Sequence, residues 1–345
     1  MYDAKVARYL TLVWLSFLPA LAFAHHSLLG YDQSQIVQFE GEVTGVFWRN
    51  PHVRLTVRAV EDGKEKIWTV EGASVNAMER AGIDEAIVKV GDRVSLSAHP
   101  SKTQADSVQP VVLTLAGGSS FVLNENSATE FGLIDGISRA ATNDTAVAAA
   151  DVDADGIFRV WTNTGHWIRD VRGWWARDFP LTDSARRRHA AWNKETDDLA
   201  KKCIPAGMPE AMMQPFPIQF IDQGDTIILR IEEWDNSRTI HLNADPEADM
   251  PASRMGYTVG HWEGNSLVMQ TKRINYPFFN DQGIPQSEAV EIVERFTLSD
   301  DETHLDWAAT LTDPGTFTEP VQMAGMHWEW QPANTIKPYN CVVDK

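Results

Sequence analysis

Residues 36–48 (IVQFEGEVTGVFW), 53–60 (VRLTVRAV) and 65–71 (EKIWTVE) are three short runs rich in Val, Ile, Phe, Thr and Trp. Bulky β-branched and aromatic residues in runs of this length read as strands, with every second side chain on one face. The separators, Asn50-Pro51 and Glu61-Asp62-Gly63, are turn chemistry. SVNAMERAG (74–82) follows, with a serine to cap a short helix and a glycine to end it. Two more strands are expected at about 92–99 and 110–115. Three strands, a helix and two strands is the order of a small five-stranded OB-type barrel.

Toward the N-terminus, residues 1–24 have the three parts of a secretory signal: Lys5 and Arg8, an apolar run from Tyr9 through Leu21, and small residues at Ala22 and Ala24. Cleavage after Ala24 is expected, which makes the protein periplasmic or secreted. Ser16 and Pro19 interrupt the run, which is shorter than the roughly 20 residues a membrane span prefers. No other stretch is long and apolar enough, so no membrane span is expected after cleavage.

Toward the C-terminus, residues 116–155 are rich in Gly, Ser, Ala, Asn and Asp and read as an acidic linker. Asp151-Val152-Asp153-Ala154-Asp155-Gly156 opens like a calcium loop, but Thr162 stands where the closing bidentate carboxylate belongs. Beyond it come further strand-like segments at 157–162, 217–222, 225–233, 237–243, 255–262, 266–273, 288–298, 303–312 and 321–330. Asp222-Gln223-Gly224-Asp225, Glu263-Gly264-Asn265 and Ser299-Asp300-Asp301 read as hairpin connections. The expected fold class is all-β: a small OB-type barrel (25–115), a linker, and a larger antiparallel barrel (156–345) with a helical insertion at 184–200.

Charge is uneven. Residues 25–115 carry nine Lys/Arg against twelve Asp/Glu, and residues 116–345 carry 19 against 35, within a chain of net charge −18. An acidic surface repels phosphate backbones and anionic lipid, so nucleic acid is not an expected partner. Cys203 and Cys341 are the two cysteines. An even pair in an oxidising compartment argues for a bridge over free thiols or half a metal site.

Three groups of residues resemble an uncharacterised family of exported bacterial proteins: Ala24-His25-His26-Ser27, Trp48-Arg49-Asn50-Pro51-His52-Val53, and Trp68-Thr69-Val70-Glu71-Gly72 with Gly91-Asp92. The second half is similar to a companion module of such proteins, lipocalin-like in pattern. The matching residues are Cys203 through Pro209, Gly260-His261-Trp262-Glu263-Gly264-Asn265 through Val268, Ser287-Glu288, Glu294-Arg295-Phe296, Asp313-Pro314 and Tyr339-Asn340-Cys341. Where that pattern has Arg and Asp, this chain has His261 and Asn265. No activity follows from either resemblance.

No phosphate loop, nucleophile elbow or zinc-protease helix is present. Three functions stay open. The first is binding of a small, largely apolar molecule inside the larger barrel, with Trp161, Trp167, Trp174 and Trp175 as a stacking wall or as ordinary core. The second is a barrel enzyme, a lyase, isomerase or hydrolase, with His261, Glu263, Glu288 and Arg238 as base, acid and anion-holding groups. The polar residues His304, Asp306 and Thr310 lie on one face of their strand and read as a solvated exterior. The third is copper binding at a mature N-terminus, where His25 offers an amine and an imidazole to one ion and His26, His52 or His99 adds another ring, His52 being the preferred partner.

Overall fold

Val37–Phe47 (β1), Arg54–Glu61 (β2), Lys64–Glu71 (β3), Arg93–Pro100 (β4) and Ser107–Leu115 (β5) pair in the order β3-β2-β1-β4-β5 and close through a β3–β5 pairing. In this computed structural model residues 30–124, 131–133, 156–163, 174, 177–332 and 334–343 are described. Alternation does the folding here. Val43, Leu55, Val57, Val70, Val94 and Leu96 point inward and are buried, while intervening Glu42, Arg58 and Arg93 face out. Phe39 stacks on Trp68 with ring centroids 4.8 Å apart. Between β3 and β4, Val75–Arg80 (α1) is capped by Ser74, whose hydroxyl accepts from the Ala77 amide at 3.2 Å. Gly82 ends the segment at φ +73°, as its place in the sequence predicts. Within the expected linker, Ser120–Val122 (β6) instead extends the sheet on β5.

The second barrel is built from Val160–Asn163 (β7), Ile218–Asp222 (β8), Thr226–Ile231 (β9), Asn236–Leu242 (β10), Tyr257–Glu263 (β11), Ser266–Lys272 (β12), Glu291–Leu298 (β13), His304–Thr312 (β14) and Met326–Trp330 (β16), with Val321–Gln322 (β15) added on β14. Nine strands close through β13–β14. The hairpins expected at 222–225, 263–265 and 299–301 form between β8 and β9, β11 and β12, and β13 and β14.

One pair departs from the antiparallel expectation: β10 and β11 run parallel, with Ile240 opposite Thr258. Parity requires it. Strands cannot alternate direction all the way round a closed ring of odd number, so a nine-stranded barrel needs a parallel seam, and a parallel pair needs the longer return supplied by residues 243–256. The five-stranded barrel obeys the same rule, with its parallel seam at β3–β5.

The helical insertion divides in two, Asp183–Ala191 (α2) and Lys194–Asp197 (α3), where a single run over 184–200 was expected. Thr182 caps α2 through the Ala185 amide at 3.2 Å. The break at Trp192-Asn193 lets the indole of Trp192 lie on Gly283, where a Cβ would fall 2.1 Å from the ring. Cys203 and Cys341 are disulfide-bonded, 138 residues apart. No described helix is long and apolar enough to cross a membrane.

The two barrels meet through a polar junction. Asn50, from the Asn-Pro turn between β1 and β2, accepts from the Val75 amide at 2.8 Å and donates to the Tyr339 carbonyl. The Val342 amide donates back to the Asn50 carbonyl at 3.2 Å. Glu232, fully buried, accepts from Asn76 at 3.0 Å, from the Lys337 amide at 2.9 Å, and from both terminal nitrogens of Arg80, one of them at 2.7 Å. A bidentate guanidinium and two further donors compensate for burying this carboxylate.

Candidate ligand pocket at the barrel mouth

The interior of the second barrel is filled. Trp161, Phe220, Phe296, Trp307 and Trp328 are almost wholly buried there. They surround Arg238 of β10, which grips Glu294 of β13 through two bonds of 2.9 and 2.6 Å. The same guanidinium donates to Thr258 of β11 at 3.1 Å and Thr271 of β12 at 2.9 Å, and Trp307 of β14 donates to Glu294 at 3.1 Å. Five successive strands, including both sides of the parallel seam, are tied by one ion pair. With both carboxylate oxygens taken and aromatic rings around it, this pair is an internal strut.

Of the residues singled out for catalysis, Arg238 is in this strut. His261 and Glu263 sit on the outside of β11, 3.1 Å apart, with Arg295 reaching Glu263 at 2.5 Å. Those hydrogen bonds, first from Arg295 and then from His261, hold the Glu263 carboxyl below the usual range. Met255 and Tyr257 share that face and are buried, but the strand leaves the covered region and exposes His261. Glu288 is exposed in the turn before β13. The four residues therefore do not converge. His304 and Asp306 face water as expected, with Asp306 accepting from or donating to no lumen group but paired with His327 at 2.6 Å.

His25 and His26 lie outside the described residues, as do Trp167, Trp175 and the carboxylates of 151–155. The His52 ring is engaged with the Gly72 carbonyl at 3.2 Å. Trp161 and Trp174 are core residues.

The polar concavity lies at the mouth of the second barrel, on the side where the first barrel docks. Its walls are Trp192 after α2, Trp234 between β9 and β10, and Tyr276 and Phe278 after β12. Gly207 lets the chain pass within a Cβ's reach of the Tyr276 ring, 2.6 Å from where that atom would stand. Asp198, Glu210 and Asp281 line the space, whose volume of about 20 Å³ holds a group the size of a water molecule. Tyr276 donates to Glu210 at 2.8 Å. Burial, then the charge of Glu210, pushes the Tyr276 hydroxyl far above its ordinary range, and Glu233 and Asp198 add to it.

Glu233, 8% exposed, does not line the space but is buried beside Glu210 and Asp281, and its Oε2 has no hydrogen-bond partner among the described residues. Burial raises its carboxyl well above the carboxylate range, and the neighbouring charges of Glu210 and Asp281 raise it further. Asn280, 3% exposed, accepts from the Gln282 and Ile284 amides while its Nδ2 has no partner, and the Trp192 Nε1 has none either. The sequence reading missed this group. Its legible signal was Ile231-Glu232-Glu233-Trp234-Asp235, three acids and an aromatic directly after an apolar strand.

Among solved structures, the mitochondrial single-stranded DNA binding protein Rim1 of S. cerevisiae is similar at 11% identity, over 24% of this chain and 92% of its own, with a TM-score of 0.20. No curated protein matches the chain. Residues 15–109 match a family of unknown function, DUF6152; Asn50, Asn76 and Arg80 fall inside the matched segment, and Glu232 with the pocket falls outside it.

Proposed function

We propose that this is a small-molecule-binding protein of an oxidising, extracytoplasmic compartment whose ligand sits at the mouth of the second barrel and not in its lumen. The disulfide supports the compartment. The observation that carries the binding reading is Glu233: a nine-tenths buried carboxyl with an unpartnered oxygen, set behind the pocket wall beside Glu210 and Asp281, which line the space together with Trp234. Desolvated acids of this kind are costly unless a positive group joins them. A ligand ammonium would supply that charge and gain cation–π contact from the rings. Asn280 Nδ2 and Trp192 Nε1 are donors awaiting an acceptor, so the preferred ligand carries an oxygen next to its ammonium, as an amino alcohol does. This replaces the largely apolar molecule expected from the tryptophan content.

The small volume favours a primary ammonium head over a quaternary one. Calorimetric titration of the protein with ethanolamine and with tetramethylammonium is the test. Saturable binding of the first, absent for the second and lost in Glu233→Gln, is the expected result. Equal behaviour of the two cations, or binding unaffected by Glu233→Gln, overturns the reading.

A further inference from the structure

Glu232 and Glu233 are adjacent in the chain and serve different masters. Glu232 is held by Arg80 and Asn76 of the first barrel. Glu233 is buried beside Glu210 and Asp281, two of the acids that line the pocket. The next two residues are divided in the same way. Trp234 lines the pocket and also packs on Tyr339 with centroids 5.0 Å apart, and Asp235 accepts from the Tyr339 amide at 3.1 Å. Tyr339 in turn gives its carbonyl to Asn50 of the first barrel.

This turn is strained. Trp234 stands at φ +60° and Asp235 at φ +51°, two consecutive side-chain-bearing residues in the left-handed region. Each such residue persists when its surroundings over-determine it. Here the constraints are the Glu232 bonds on one side and the Tyr339 contacts on the other, and most of them run through the first barrel or through the segment that it clasps. The disulfide pins both margins: Cys203 is adjacent to Ile204 of the pocket wall, and Cys341 pairs in a bridge with Asn50.

We propose that the first barrel is a regulatory clamp on the pocket: by holding Glu232 it keeps the 232–235 turn in the conformation that presents Trp234 to a ligand and sets Glu233 behind the acids of the pocket wall. The proposal rests on the binding site described above. Coupling must run both ways, so a ligand in the pocket tightens the junction by the factor by which the junction tightens the ligand. The strained turn is the element that both sites bias.

Two full-length variants test it. Arg80→Gln leaves Glu232 without its bidentate partner. Lys337→Ala removes the exposed pair with Glu79, 2.8 Å apart, and leaves no buried charge, so it keeps the test alive if the first variant does not fold. Ethanolamine affinity is expected to fall by about fivefold or more in Arg80→Gln and by a smaller factor in Lys337→Ala. A second measurement needs no ligand: the pH titration of the Glu233 side-chain carboxyl by 13C NMR, assigned by its loss in Glu233→Gln. The charged groups facing it are Glu210 and Asp281, with Tyr276, Tyr339 and Glu232 close by. Its midpoint is expected to drop toward the ordinary range in Arg80→Gln, as the turn opens to water. A shifted midpoint without ethanolamine binding keeps the clamp and discards the ligand reading. Ethanolamine binding of unchanged affinity, or an unmoved midpoint, in variants that remain folded overturns the clamp.

Discussion

The two barrels solve the same closure problem with different interiors. Both have an odd number of strands and therefore one parallel seam, at β3–β5 in the first and β10–β11 in the second. Five strands enclose a lumen packed with Val, Leu and one Phe–Trp stack, which leaves an apolar cavity of about 20 Å³ between Leu55, Val70 and Leu113 on the barrel side and Met78 of α1. Nine strands enclose more than aliphatic side chains reach across, and the second barrel closes the gap with Trp161, Trp307 and Trp328 around the Arg238–Glu294 pair. The larger interior thus gains size without gaining a cavity. Chamber width alone does not make an opening: in this chain the polar concavity is at the mouth, lined by turn and insertion residues.

Removal of the strut should separate the two interiors most. Arg238→Ala leaves Glu294 buried without its positive partner, with only the neutral donors Thr271 and Trp307, and should cost the second barrel about 3–5 kcal/mol. Replacing the pair together, Arg238→Met with Glu294→Leu, should recover most of the loss. Denaturant unfolding measures both, and a single variant as stable as the parent would mean that the strut does not hold the seam. The ion pairs Arg58–Glu42 and Lys66–Glu61 of the first barrel are exposed or half-exposed, so its largest response should be the cavity cost of a truncation such as Leu96→Ala.

Next in size is the disulfide. It closes a loop of 138 residues around most of the second barrel, so reduction should lower its stability by about 2–4 kcal/mol. The first barrel's own transition should shift less, through release of the Cys341 segment from Asn50. Calorimetry with and without reductant separates the two transitions. Equal shifts of both would show that the barrels unfold as one unit.

How much of this was legible depends on the range of the interactions. The first barrel was read strand by strand because its information is local: alternation, the Asn-Pro and Asp-Gly turns, and the Ser74 and Gly82 helix stops each act within a few residues. The hairpins of the second barrel were equally local. The parallel seam was not, since a pairing between β10 and β11 follows from the count of strands around the whole ring. The candidate site was the least legible. Arg238 stands out in the sequence, but its partner Glu294, 56 residues away, is out of reach of any argument from spacing along one strand. The exposure of His261, on a face of β11 that also carries buried Met255 and Tyr257, follows from where the sheet ends, which is a tertiary fact. Glu233 shows in the sequence only as one of three acids after an apolar strand: its character comes from burial beside Glu210 and Asp281, which the fold delivers from two other segments.

A smaller effect concerns pH, and it distinguishes the mouth from both lumens. The Glu233 carboxyl is raised in the folded protein above its ordinary value of 4.5, chiefly by burial. Its protonated form therefore favours folding: the contribution is complete below the unfolded value and is lost as pH rises through the folded one. Glu233→Gln should match the parent in acid and exceed it at higher pH by about 1–3 kcal/mol. Thermal melts across the pH range give the answer, and parallel curves for the two proteins would place Glu233 in contact with water or with a cation of the chain.

The smallest effect is expected where the sequence first pointed. His261, Glu263 and Arg295 form a chain of contacts on the outer face of β11 and β13, with each side chain roughly half exposed. Exposed pairs of this kind contribute little, because water and salt screen them and ordering the long side chains costs entropy. Glu288 lies apart, in an exposed turn. Alanine at His261, Glu263 or Glu288 should change stability by no more than about 0.5 kcal/mol and leave ethanolamine affinity unaltered. The Glu263 variant should also lose its dependence on salt, since its carboxyl is the acceptor shared by His261 and Arg295. A clear fall in affinity on altering His261 would mean that the outer face of β11 takes part in binding, and that the division between a structural barrel wall and a functional mouth is drawn in the wrong place.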